Sequence, residues 1–148
     1  MSLIIFNAIL DSDAVRGQKA KLITDQIRAF KSYSWVGLYD VLEDEIQVIN
    51  WSGTGAPAYL KFPRTKGING RAVAKRKTIA VNDTSNDPDY LTTFGNTQSE
   101  IIVTVFSRIT NEIIGTIDVE SQYKNAFDPG DIIFIESCSK AIERLWEE

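Results

Sequence analysis

The sequence predicts an α+β fold, an α/β sandwich in which an antiparallel sheet carries the N- and C-terminal helices packed on one face. Apolar residues recur at 3-4-3 spacing near both ends, at Ala20, Ile23, Ile27 and Phe30 and again at Ile135, Cys138, Ile142 and Leu145. That spacing puts each set on one side of a helix. Between them lie short β-like runs separated by turn-forming residues. Strands joined by short turns, with helices segregated to the ends, form an antiparallel sheet covered on one side.

Residues 1–10 are apolar and read as an edge element or a tucked terminus. Residues 14–31 read as a helix, with Asp13 placed to cap it. Ser34 to Val41 is β-like and aromatic, and Glu45 to Trp51 is its partner across the acidic turn Leu42-Glu43-Asp44. Strict alternation puts Ile46, Val48 and Asn50 on one face and Gln47, Ile49 and Trp51 on the other. A loop with two glycines and Pro57 follows, then a short strand at Leu60 to Phe62. Gly67-Ile-Asn-Gly70 introduces a short helix reaching about Lys75, and Thr78 to Val81 is a short strand. Residues 82–98, rich in Asn, Asp, Thr and Ser, form a long connection of the kind that carries function when it sits over a site. Glu100 to Phe106 and Glu112 to Val119 are neighbouring strands joined at Arg108 to Asn111. The last helix is announced by Asp128 as cap, Pro129 at its first position and Asp131 in its first turn.

The length fits one domain, 1–148, with its core in about residues 14–147. No apolar run approaches the roughly 18 residues of a membrane span, and the broken apolar start is not that of a signal peptide, so no membrane association is expected. The absence of histidine excludes Ser-His and Cys-His catalysis and His-ligated zinc. The single cysteine, Cys138, excludes an internal disulfide and fits a reducing, cytoplasmic setting. A net charge of −4 argues against a dedicated nucleic-acid binder. No metal or cofactor motif is present, and none is expected.

The local sequences resemble the GAF fold. Trp35-Val-Gly-Leu-Tyr39 is similar to its first strand, Lys66-Gly-Ile-Asn-Gly-Arg-Ala-Val-Ala74 to its glycine turn and helix, and Asn82-Asp-Thr84 to the close of the next strand. Ser99-Glu-Ile-Ile-Val103 and Ile114-Gly-Thr-Ile-Asp-Val-Glu120 resemble its two core strands, and Phe127-Asp-Pro-Gly-Asp131 its entry to the last helix. The resemblance is strongest to the free methionine-(R)-sulfoxide reductases. It implies that Glu100, Asp118 and Glu120 stand where acidic residues hold an amino acid's ammonium group, Glu120 replacing the usual Asp. It also implies that Asn69 and Thr93 stand where that family has its cysteines. Neither side chain can attack a sulfoxide or resolve a disulfide.

The expected function is therefore that of a small-molecule-binding GAF sensory or regulatory domain, with an amino acid or related amine as ligand. Its pocket would be roofed by residues 82–98 and walled by Trp35, Tyr39, Trp51, Asn69, Thr93, Glu100, Asp118 and Glu120. Aromatics there can cage an ammonium, though core packing is the commoner fate of strand aromatics. Asp118 and Glu120 share a strand face, which is either pocket or solvent. The basic run Lys61, Arg64, Lys66, Arg71, Lys75, Arg76 and Lys77 reads as a solvated face or, with Gly67-x-x-Gly70, as an anion or cyclic-nucleotide site. Asp83, Asp87 and Asp89 read as turn-forming residues or a calcium cluster. The two terminal helices, widened by Trp146, suit a homodimer through a four-helix bundle. Two further readings stand beside the sensor: a ligand-free dimerisation domain, and a reductase working through Cys138.

Overall fold

The computed structural model describes residues 3–148; Met1 and Ser2 lie outside the described residues. The elements are α1 (Ile4–Asp11), α2 (Arg16–Lys31), β1 (Trp35–Val41), β2 (Glu45–Gly53), β3 (Lys61–Pro63), α3 (Gly67–Lys75), β4 (Ile79–Val81), β5 (Ser99–Phe106), β6 (Ile113–Ser121) and α4 (Pro129–Ala141). Short 3-10 turns cover Thr84–Asn86 and Glu143–Glu147. The strands form one six-stranded sheet in the order β3-β2-β1-β6-β5-β4, with antiparallel neighbours throughout.

The apolar N-terminus forms a helix that tucks Phe6 and Leu10 into the core. With α2 and α4 it covers one face of the sheet, where Ile23, Ile27, Ile135, Cys138, Ile142 and Leu145 are all fully buried. Burying each aliphatic chain of this size contributes about 1.5–3 kcal/mol. Phe30 stacks on Phe134 at 3.7 Å between ring centroids and joins α2 to α4.

The start of α2 differs from the expectation. Its cap is Val15, an apolar residue with no side-chain oxygen to donate to, so no side-chain hydrogen bond forms there, and Asp13 lies two residues before it. Arg16 instead holds the corner, forking onto Asp40 and donating to the Leu145 carbonyl. At α4 the expected cap is present as a reciprocal box between Asp128 and Asp131. Asp131 also accepts from the Tyr33 hydroxyl, and burial next to that carboxylate raises the phenol's pKa above its usual value.

The alternation expected in β2 breaks at a bulge. Leu38 pairs with Asn50 and Tyr39 with Val48, leaving Ile49 as the extra residue. Trp51 therefore joins Ile46 and Val48 on one face, while Ile49 packs into the helix-covered core. Asn50 turns to donate to the Gly17 carbonyl on α2.

Trp146 lies across Gly115, where an added Cβ would come within 2.2 Å of its Nε1. That Nε1 donates to the Tyr39 carbonyl, so the apolar width that Trp146 adds is used on the chain's own sheet. Among the described residues no helix is long and apolar enough to cross a membrane.

Candidate functional site

The site lies on the sheet face opposite the terminal helices. There, strand register places Glu100, Glu120 and Trp35 in one row, and Ile102, Asp118 and Gly37 in the next. Thr104, Thr116 and Tyr39 form the third. Helix α3 crosses this face, and the connection 82–98 returns over it.

Trp35 is buried, packs against Phe94 at 5.5 Å and Tyr39 at 6.4 Å, and donates from its indole to the Gly55 carbonyl. Its ring fills the space above Gly37, where a Cβ would meet it at 2.3 Å. Tyr39 meets Phe62 edge to face at 5.9 Å, and Trp51 and Phe94 pack against the same cluster. Burial and the facing acids push the Tyr39 phenol well above its usual pKa.

Glu100, Asp118 and Glu120 are brought together as expected, but they are 4%, 2% and 0% exposed, which places them in the interior and not on a solvent face. One oxygen of each lies within 4.8 Å of the others. The partners that orient them are neutral. Asn69 donates to Asp118 Oδ2 at 3.2 Å and accepts from the Thr116 hydroxyl at 2.6 Å. Thr97 and Tyr90 donate to Glu120 Oε1 at 2.8 and 3.3 Å. Among the described residues no ion pair reaches the three acids. Among the described residues no fixed donor reaches Asp118 Oδ1 or Glu120 Oε2, while Asp118 and Glu100 lie close enough to share a proton.

Three buried carboxylates without a cation cannot all stay ionised cheaply. Desolvation pushes Asp118 up to about 6 and Glu120 up to about 8. Glu100 rises well above the carboxylate range, by desolvation first and then by the negative charge of Asp118 and Glu120. All three carboxyls therefore hold their protons more tightly than free carboxylates do.

A cavity of about 20 Å3 adjoins Glu100 and Asp118, lined also by Tyr39, Tyr59, Phe62, Ile68, Asn69, Leu91 and Thr93. That volume holds one water. Thr93 and Asn69 thus both line the cavity, Asn69 also acting as the strut that fixes Asp118, while Glu120 lies outside its lining. Tyr90, Phe94 and Thr97, which complete the roof, were not singled out from the sequence. They sit in an irregular connection, where no periodicity reveals direction.

Several of the other candidates make structural contacts, and Arg64, Arg71 and Arg76 of the basic run also line a surface cavity of about 510 Å3 together with Gly67 and Gly70. Arg71 pairs with Asp87 at 2.6 Å and Asp89 at 3.1 Å, tying α3 to the connection above it. Asp83 accepts from the Ser85 amide and hydroxyl and pairs with Lys124, while Asp87 accepts from the Asp89 amide, so the acidic cluster builds turns and ion pairs. Arg64 donates to the Leu42 carbonyl, and Arg76 donates to the Asn111 carbonyl and covers the Phe106 ring. Cys138 is fully buried on the opposite side of the sheet, where desolvation pushes its thiol up to about 12. It does not reach the cavity, and a thiol so raised is a poor nucleophile.

No family model matches the chain. The free methionine-R-sulfoxide reductase of Saccharomyces cerevisiae is 28% identical over 123 residues, 78% of this chain and 67% of that protein. GAF domain-containing protein A of Dictyostelium discoideum is 25% identical over 121 residues, 82% and 75% respectively. Among solved structures, the free methionine-R-sulfoxide reductase from Neisseria meningitidis, in complex with its substrate, superposes with a TM-score of 0.86 at 25% identity, covering 98% of this chain and 86% of that one. A solved GAF domain superposes with a TM-score of 0.84 at 23% identity, covering 96% and 83%. The chain is a GAF-fold protein similar to the free methionine-R-sulfoxide reductases, with a lone cysteine that is shut in the core away from its candidate site.

Proposed function

We propose that this protein is a cytoplasmic GAF sensory or regulatory domain that binds a small molecule through a cationic group, an amino acid or related amine. The observation that carries this reading is the buried triad Glu100, Asp118 and Glu120, oriented by neutral donors and left without a counter-ion of its own. An ammonium group placed among them makes charge-assisted hydrogen bonds in a water-excluded setting. Trp35, Tyr39 and Phe94 supply an aromatic wall for the rest of the ligand.

The cavity beside the acids is too small for an amino acid, so binding requires the segment carrying Leu91 and Thr93 to move outward. That movement is the signal in this reading, sensed by a second copy docked through the terminal helices as a homodimer. The closed cavity favours a second reading, a dimerisation domain without a ligand.

A thermal-shift screen against free amino acids, methionine sulfoxide and simple amines, run in chelator, separates the two. Ligand present far above its dissociation constant raises stability by a few kcal/mol. A shift that is lost in Asp118→Asn supports the sensor, and no shift with any of them favours the ligand-free domain.

A further inference from the structure

Asp118 Oδ1 and Glu120 Oε2 are buried carboxylate oxygens that no fixed donor reaches among the described residues. Their sister oxygens are fixed by Asn69 and by Thr97 and Tyr90, and one oxygen of each acid lies within 4.8 Å of one from Glu100. Leaving such atoms unpaired is costly, and a bound cation removes that cost.

We infer that Glu100, Asp118 and Glu120 form a site for one hard divalent cation. The donors are carboxylate oxygens alone, since the chain has no histidine and Cys138 lies across the sheet. Oxygen-only sets select magnesium, manganese or calcium over softer ions. The adjoining space of about 20 Å3 admits a single water, so most of the coordination shell must come from the carboxylates. So few waters disfavour magnesium, which keeps several. A cation between Glu100 and Glu120 also turns a repulsive cross-strand pair into a bridge. The inference goes beyond the amine reading, because ion and ammonium claim the same oxygens and exclude one another. Protons are the other competitor, which the experiment must outcompete by working at slightly alkaline pH.

The test uses the full chain, stripped with chelator and dialysed, with Mn2+ as the only added probe. Electron paramagnetic resonance counts bound Mn2+ at pH 8, and thermal melting reports its effect on stability. The expected result is one saturable Mn2+ per chain, displaced by Ca2+, with a raised melting temperature. Asp118→Asn and Glu120→Gln, checked for folding by circular dichroism, each weaken binding by about tenfold or more, whereas the exposed variant Asp13→Asn, across the sheet, leaves it unchanged. If a triad variant does not fold, loss of Mn2+ from the wild-type protein on Ca2+ addition, with the melting temperature held up, serves in its place. Absence of saturable binding up to about 1 mM, the weak end of calcium-type sites, overturns the proposal, as does binding that survives both triad variants. Amine-induced shifts are measured in chelator, so a failure of one reading is distinguishable from a failure of the other.

Discussion

Glu100 and Glu120 lie directly opposite one another in the β5–β6 ladder, and both are buried. Like charges so placed repel, which raises the carboxyl pKa values there. Asp118 rises from 3.8 to about 6 and Glu120 from 4.5 to about 8. A folded-state pKa above the unfolded one means the folded chain binds more protons, so stability is full below the unfolded value and is lost as pH rises through the folded one. In chelator, stability should therefore decline from about pH 3.8, where Asp118 begins to titrate in the unfolded chain, to about 8, where Glu120 does so in the folded one. Glu120→Gln keeps the acceptor for Thr97 and Tyr90 and should flatten that decline. Urea unfolding across the range checks this; a wild-type profile rising toward pH 8 would contradict it.

Asn69 bridges Asp118 and Thr116. Asn69→Ala strands two buried polar groups and should cost about 1–3 kcal/mol. Asn69→Asp, which adds a fourth carboxyl to the cluster, should cost more at pH 8 than at pH 5. Chemical denaturation at both values measures the difference.

Gly37 leaves room for the Trp35 ring. Gly37→Ala forces that ring off its seat and should destabilise by about 1–3 kcal/mol, as overpacked cores do. A change in tryptophan emission should accompany the loss; an unchanged spectrum and midpoint would show that the ring has another place to go.

Arg71 ties α3 to the connection over the site through Asp87 and Asp89. The fork is partly exposed, so Arg71→Ala should cost about 1 kcal/mol or less. Its main effect should be faster amide exchange in residues 87–97 with little change in the sheet. Hydrogen-exchange mass spectrometry reads this directly, and equal exchange would show that the clamp does not hold the roof.

Cys138 is sealed in the helix-covered core. A thiol reagent should react with native protein only as fast as it unfolds, and at the free-thiol rate in denaturant. Cys138→Ala should leave amine-induced thermal shifts intact. Rapid native labelling would place the thiol at a surface.

Much of the fold was legible in the residues themselves. The 3-4-3 spacings at Ala20 to Phe30 and Ile135 to Leu145 mark helices because burial on one side imposes the helical period. The box at Asp128 is local chemistry complete within four residues. The alternation in β1 and β6 put Trp35 with Tyr39 and Asp118 with Glu120 on shared faces, as they are found. Where local rules failed, a distant contact had decided. The bulge at Ile49 depends on how β2 meets β1, and the turn of Asn50 toward α2 depends on the Gly17 carbonyl.

Residue type and spacing by themselves determined which side chains bear charge, which elements form, and that the cysteine belongs to an apolar helix face. Only the tertiary structure decided that the acids are buried, that Asn69 braces Asp118, and that Asp87 and Asp89 are spent on Arg71. The physical reason is that a carboxylate's meaning lies in its dielectric surroundings and its nearest counter-charge. Both are set here by strands and a connection far apart in the chain, from Asn69 on α3 to Tyr90 and Thr97 over β6.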